Sequence, residues 1–326
     1  MSNEYWNQDP LLAEWLEHVR VNIKGTLSGA RGYIRPHLQD IASQQGKMLR
    51  PALLILASWV GSGSSQQEEV TALAAGIELV HAASLIHDDI IDEASARRGE
   101  ETLHRRIGNR KAVVAGDYIL VRAFALLSQD VKRSYDSKVV SDRMAKLCES
   151  EIDQDSEIGN FFIPKSRYIR RIGGKTAALF SLSCYLGASA GKLDAGQVRA
   201  LSRFGYNLGI SFQMHDDILD ITGRPNRMGK DVGKDLTVGI ATLPLICALE
   251  MDRSGKLKRM LDGAVPGDRQ IPEIIAEIHR IGGVDAARRT ARSYEQQANR
   301  ELSRLPACDA RESLSRLLHR LAKRQS

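Results

Sequence analysis

Apolar residues recur along this chain with the period of a helix and hardly anywhere with the period of a strand. Four stretches carry the pattern furthest: Thr71–Asp92, Ala112–Gln129, Thr176–Gly191 and Val198–Asp220. Each is long and apolar enough to predict a buried helix. No stretch alternates over strand length. Breaks fall at Gly61–Glu69, Arg97–Glu101, Phe161–Ser166 and Thr222–Gly229, where Gly, Pro and charged residues cluster. None is long enough to be a domain linker, and no short repeat or low-complexity tract interrupts the chain. The pattern predicts a single all-α domain over residues 1–326, built as a bundle of long helices.

Composition agrees. Of 326 residues, 43% are hydrophobic but only 5% aromatic, an apolar content of mostly Leu, Ala, Ile and Val that suits packed helices. A net charge of +6 fits a polyanionic substrate, nucleic acid or a membrane surface without choosing among them. Cys148, Cys184, Cys247 and Cys308 stand far apart, which argues against a disulfide framework or zinc knuckle and for buried thiols in a reducing compartment. The N-terminal stretch MSNEYWNQDPLLAEWLEHVR lacks the basic start and apolar core of a signal peptide. The uncharged stretch Thr176–Gly191, rich in Ser, Ala and Gly, is too short for a membrane span. The expected location is cytoplasmic.

Two acidic clusters change the picture. SLIHDDIID (Ser84–Asp92) returns in altered form as QMHDDILD (Gln213–Asp220), about 130 residues later. On a helix, residues i and i+4 share a face, so Asp88 pairs with Asp92 and Asp216 with Asp220. Asp89 and Asp217 sit about 100° around. Stacked like charges cost roughly 0.2–0.5 kcal/mol per pair on an exposed helix, and more when partly buried. A divalent cation removes that cost. All-oxygen ligands select a hard ion, and Mg2+ commonly binds one or two carboxylates plus substrate phosphates. A single copy reads as a solvated acidic helix end; two copies, each behind an apolar helix and before a basic loop, read as metal sites. His87–Asp88 and His215–Asp216 also match the His-Asp pair of metal-dependent phosphohydrolases. That site needs further histidines from a chain holding only 8.

Basic residues supply what a metal-bound phosphate needs. GKMLRP (Gly46–Pro51) sets Lys47 and Arg50 on one side of an opening helical turn, and Arg97 and Arg98 follow the first cluster. GGKTAALF places Lys175 and Thr176 at an expected helix start, where free N–H groups and the dipole favour an anion. Gly229 and Lys230 follow the second cluster. Singly, each reads as a solvated surface charge.

Together, the order G-K-x-x-R-P, D-D-x-x-D-x-x-x-x-R-R-G, K-T, F-Q-x-x-D-D-x-x-D and G-K resembles the trans-isoprenyl diphosphate synthases. Within that family the chain is most like the long-chain hexaprenyl, heptaprenyl and octaprenyl enzymes. The resemblance runs from about Gly46 to Leu249, with smaller matches at Thr102 and His104, Gly116–Tyr118, Glu151 and Gln154, and Thr242–Leu245. It implies an all-α bundle around a central cavity, in which the two aspartate helices grip one allylic diphosphate through Mg2+, usually three ions. Asp88, Asp92 and Asp216 would ligate metal, with Asp89, Asp217 and Asp220 supporting them. Arg97, Lys175, Thr176, Gln213 and Lys230 would hold the allylic diphosphate. Lys47, Arg50, His81 and Arg98 would form the isopentenyl diphosphate pocket. Ionisation of the allylic carbon, attack by the isopentenyl double bond and proton loss would follow. Met48 departs from the family's G-K-R-x-R-P, and Ile240 stands where a lysine often precedes T-L-P. The family also implies a homodimer, in some members a small companion subunit, and no role for nucleic acid.

Product length is expected to depend on residues below the first aspartate. Ser84 lies about 40° and Ile77 about 20° from Asp88 around the helix. In the family the fourth and fifth residues before that aspartate set tunnel depth; here Ser84 and Ala83 are both small. The floor would then be Val80 or Ile77, or Leu120, Phe124 and Leu127 on the next helix. That implies a product of hexaprenyl to nonaprenyl length, a quinone side-chain precursor. The alternatives are a geranylgeranyl or farnesyl diphosphate synthase, or the catalytic subunit of a two-component enzyme. The basic tail Ser313–Ser326 carries an apolar stripe, Leu314, Leu317, Leu318 and Leu321, suited to a dimer or core contact or to peripheral membrane contact.

Overall fold

A computed structural model describes residues 6, 8–43, 46–61, 66–97, 99–128, 135–223, 232–263 and 265–323. The chain opens with α1 (Pro10–Ser28), α2 (Arg35–Ser43), α3 (Leu49–Trp59) and α4 (Gln67–Ile91). After a short hairpin come α5 (Leu103–Ile107), α6 (Asn109–Leu127), α7 (Ser137–Ser156) and α8 (Lys165–Ile172). A π-helical segment, Gly173–Ala177, joins α8 to α9 (Ala178–Ala190), which precedes α10 (Ala195–Thr222). The remainder is α11 (Lys234–Val238), α12 (Leu243–Met251), α13 (Lys256–Met260), α14 (Ile271–Ile281), α15 (Gly283–Leu302) and α16 (Asp309–Ala322). The four predicted long helices are present as α4, α6, the π segment with α9, and α10. The strand pattern missed one feature: Ala96–Arg97 pairs antiparallel with Glu100–Glu101 inside a predicted break. Two residues per strand are too few to show a period.

The residues form two compact units. The first comprises Met1–Asp136, Ser183–Arg199 and Ala307–Arg311. Its central helix is α4, against which α1, α3 and α6 pack. By length and apolarity α4 would pass for a membrane span, yet most of it is buried in the protein. The α4–α6 seam is close because of two glycines: a methyl on Gly76 would stand 2.9 Å from Leu127 Cγ, and one on Gly116 would strike the His87 ring. α3 starts later than its sequence suggests. Met48 adopts a left-handed conformation (φ 53°, ψ 38°) as the residue before the helix, so Lys47 lies outside it. Met48 turns into the core with 1% of its surface exposed. An apolar residue where the family carries a cation is thereby spent on packing.

The second unit comprises Ser137–Leu182, Ala200–Pro306 and Glu312–Ser326. Tyr168, Ile172, Ile210, Met214, Ile218, Leu243 and Ile274 form part of its apolar core. α12 packs along α15, where Gly283 lies against the Pro244 carbonyl and Ala248. On α16, Leu314, Leu317, Leu318 and Leu321 are all buried. The apolar stripe of the tail is used inside the protein, and an inward face cannot also enter a membrane.

Candidate functional site

The first aspartate cluster closes α4. Asp88 is half-buried, Asp92 is exposed as the residue after the helix, and Asp89 is buried. The chain then turns back through the two-strand hairpin, held where Thr102 Oγ1 donates to the Ala94 carbonyl at 2.7 Å. This return brings Arg97 onto Asp89: Nε and Nη2 both lie 2.8 Å from Oδ1. Asp89 is therefore neutralised by protein, while Asp88 and Asp92 share the outward face that the i, i+4 spacing required. Asp89, Arg97, His81, Gly46 and Arg106 line a cavity of about 130 Å3 within this unit. Lys47 is exposed. Arg50 is largely buried beside Glu78, and burial lowers its pKa to about 10, opposed by the Glu78 charge. Arg98 lies outside the described residues.

The second cluster sits near the end of α10. Asp216 and Gln213 are half-buried and Asp217 is buried. Both Asp217 oxygens accept bonds from protein: Tyr168 Oη donates to Oδ2 at 2.7 Å, and Gln213 Nε2 donates to Oδ1 at 2.9 Å. Asp220 accepts the backbone N–H groups of Lys234 at 3.2 Å and Asp235 at 3.3 Å, tying α10 to the start of α11. Burial raises the pKa of Asp217 and of Asp220 above the usual carboxylate range, and these hydrogen bonds oppose the shift. Asp217 thus supports the cluster from within, and Asp216 is half-buried on the helix face it shares with Asp220. Lys230 falls outside the described residues.

Lys175 and Thr176 do not begin a helix. They lie inside the π-helical segment, whose backbone continues from α8 into α9, so the expected helix-terminus contribution to anion binding is absent there. The two preceding glycines have a packing reason. A methyl on Gly174 would stand 2.6 Å from the Lys146 carbonyl, and one on Gly173 would stand 2.6 Å from Tyr206 Oη. Lys175 Nζ instead bonds Glu151 Oε2 at 2.8 Å, and Thr176 Oγ1 donates to Gln213 Oε1 at 2.8 Å.

Sequence reasoning missed three participants. Asp235 is mostly buried, and burial together with the neighbouring Asp217 and Asp220 charges pushes its pKa up to about 7. Its sequence signal was the second G-K-D of MGKDVGKDL. Tyr168, fully buried, anchors Asp217. Arg171 is buried too; it pairs with Glu157 at 3.1 Å, donates to the Ala241 carbonyl, and adds positive charge near Asp217 and Asp235.

The donor set fits Mg2+ delivered with a diphosphate. All cluster ligands are carboxylate oxygens. Among the described residues no three His, Cys, Asp or Glu side chains converge to hold a metal by themselves. Substrate oxygens are what such a site lacks. The histidines of the two H-D-D motifs are engaged elsewhere. His87 Nε2 is 3.3 Å from the Val113 carbonyl and 3.4 Å from Asp117, and His215 Nε2 is 2.6 Å from Glu295. The His-Asp metal pair of a phosphohydrolase is not assembled.

The chain length expectations separate on α4 and α6. Ile77, Val80 and Ala83 are buried, Ser84 and Leu120 are half-buried, and Phe124 is 41% exposed.

Comparison with known proteins agrees with this chemistry. The profile of the family described as "Polyprenyl synthetase" matches residues 32–278. Heptaprenyl diphosphate synthase component 2 of Geobacillus stearothermophilus is 36% identical over 316 residues, spanning 96% of this chain and 97% of that protein. The crystal structure of heptaprenyl diphosphate synthase from Staphylococcus aureus superposes with a TM-score of 0.89 at 29% identity, covering 97% and 99% of the two chains. Geranylgeranyl pyrophosphate synthase from Lactobacillus brevis matches equally well, with a TM-score of 0.89 at 30% identity, covering 99% and 100%.

Proposed function

The chain belongs to the polyprenyl synthetase family, and from that membership we infer a trans-prenyltransferase that condenses isopentenyl diphosphate with an allylic diphosphate to make a long all-trans product. The observation that carries it is the pair of aspartate clusters, each with its middle carboxylate held by protein side chains, Asp89 by Arg97 and Asp217 by Tyr168 and Gln213. Bound Mg2+ supplies the charge that stabilises the departing diphosphate. Asp88, Asp92 and Asp216 are assigned as its ligands, with three ions per substrate. The protein's own cations would do the rest: Lys175, bonded to Glu151, and Arg97, bonded to Asp89, would each exchange that partner for diphosphate oxygens. Lys47, Arg50 and His81 are assigned to isopentenyl diphosphate.

Small Ser84, on the Asp88 side of α4, supports a product of hexaprenyl to nonaprenyl length. The equal likeness to a geranylgeranyl enzyme shows that the fold does not set that length. The name "component 2" of the Geobacillus relative supports a companion subunit as a second reading. A homodimer and a cytoplasmic setting complete the proposal; the four unpaired cysteines support the latter.

The test is incubation of the purified chain with farnesyl diphosphate, isopentenyl diphosphate and Mg2+, alone and with a companion subunit. Long polyprenyl diphosphate from the chain alone supports a one-component enzyme. Product only with the companion supports the second reading. No elongation in either case overturns both.

A further inference from the structure

A continuous hydrogen-bonded chain runs through the second unit from α8 to the π segment by way of α10. Tyr168 Oη donates to Asp217 Oδ2, Gln213 Nε2 donates to Asp217 Oδ1, and Thr176 Oγ1 donates to Gln213 Oε1, at 2.7, 2.9 and 2.8 Å. Its polarity is fixed by chemistry. Both Asp217 oxygens act as acceptors, so Gln213 turns its amide nitrogen, its only side-chain donor, to Asp217. The Gln213 oxygen then faces Thr176, and an amide oxygen carries no hydrogen, so Thr176 must spend its own hydroxyl proton there. Two consequences follow. Thr176 has no proton left for a diphosphate oxygen. Gln213 has one, because its NH2 group carries two hydrogens and Asp217 takes only one.

We propose that Tyr168 is a positioning residue that acts through Asp217 to hold the Gln213 amide in the orientation that offers an N–H to the substrate diphosphate. This assignment rests on the prenyltransferase reading and names a residue that does not touch substrate. The geometry suits the task. Tyr168 has none of its surface exposed, so water does not replace its hydroxyl, and Asp217 is buried as well. The Arg171 guanidinium is pinned between Glu157 and the Ala241 carbonyl, which fixes a positive charge near Asp217. Without the tyrosine hydroxyl, Asp217 loses one of its two fixed bonds. The carboxylate is then able to rotate, and the Gln213 amide loses its single orientation.

The experiment compares Tyr168→Phe, Gln213→Ala and the double variant, reading KM for the allylic and isopentenyl substrates and the binding of inorganic pyrophosphate with Mg2+ by calorimetry. Tyr168→Phe is expected to raise the allylic KM and the pyrophosphate Kd by about tenfold, the effect of one lost bond to a charged group. KM for isopentenyl diphosphate should change by less than about twofold on the same argument. Because both residues act along one path, the double variant should bind pyrophosphate no more weakly than Gln213→Ala alone. Additive losses, or equal changes in both KM values, would show a general structural role and overturn the proposal. If Tyr168→Phe does not fold, Asp217→Asn gives a second route. It can turn the Gln213 amide over while nearly preserving volume, and it must weaken pyrophosphate by the same order. Unchanged affinity in that variant also overturns the proposal. Failure of the wild-type chain to bind pyrophosphate with Mg2+ would instead overturn the prenyltransferase reading, and this assignment with it.

Discussion

The ring of His87 lies directly over Gly116, with Nε2 3.3 Å from the Val113 carbonyl and 3.4 Å from Asp117. A histidine that looks like a metal ligand in the sequence is thus a packing residue of the α4–α6 seam. Gly116→Ala forces a methyl into the ring and should cost about 1–3 kcal/mol, as overpacked cores do. Urea denaturation would measure it, and adding His87→Ala should recover most of the loss. His87→Ala alone should retain Mg2+-dependent condensation; loss of all activity in that variant would revive the phosphohydrolase reading.

Adjacent small residues below the first aspartate should respond differently to an aromatic ring. Ala83 lies seven residues from Gly76 and four from His87, within about 20° of the first and about 40° of the second. It therefore shares the direction of the two contacts with α6, and is 1% exposed. Ser84 is half-buried about 100° further round, towards the Asp88 side, with its hydroxyl on the His81 carbonyl at 2.9 Å. Ser84→Phe should shorten the product towards fifteen or twenty carbons, roughly one helical turn or ~5.4 Å below Asp88, with little change in melting temperature. Ala83→Phe should lower the melting temperature whatever it does to length. Chromatography of dephosphorylated products and thermal scans of both variants decide the matter, and an unchanged Ser84→Phe profile would refute the assigned face.

Metal-free protein should lose stability as pH rises. Burial holds the Asp235 carboxyl near a pKa of about 7, against an ordinary 3.8. The folded state then binds a proton that the unfolded state has released. Its contribution is fully present below about pH 4 and is lost as pH climbs through 7. The melting temperature in EDTA should show this decline, Asp235→Asn should flatten it, and Mg2+ with pyrophosphate should offset it in the wild type. An identical slope in Asp235→Asn would assign the decline to other groups.

The tail should behave as core. Leu318 is 1% exposed, so Leu318→Ala should destabilise by about 2–5 kcal/mol. Liposome binding, if the protein shows any, should be unaltered in that variant under conditions where it stays folded. A selective loss of liposome binding with unchanged stability would return the stripe to the membrane.

The sequence by itself determined the helices and the chemistry of the clusters. Apolar periodicity is a property of backbone geometry over a few turns, and it located α4, α6 and α10 to within a few residues. The i, i+4 spacing placed Asp88 with Asp92 and Asp216 with Asp220 without reference to any other helix. What a side chain meets was decided elsewhere. Met48 reads as a lost cation, yet its left-handed backbone turns it into the core. Lys175 and Thr176 read as a helix start, yet packing of glycines against α7 and Tyr206 draws them into a π segment. Asp217 reads as a twin of Asp89, and both are buried carboxylates. One is satisfied by an arginine eight residues on, the other by a tyrosine 49 residues away. Ala83 and Ser84 are neighbours of like size, and only the close approach of α6 gives them different surfaces. Periodicity fixes the direction a residue points along its own helix; which neighbour waits in that direction is set by helix packing, a long-range property that local spacing does not encode.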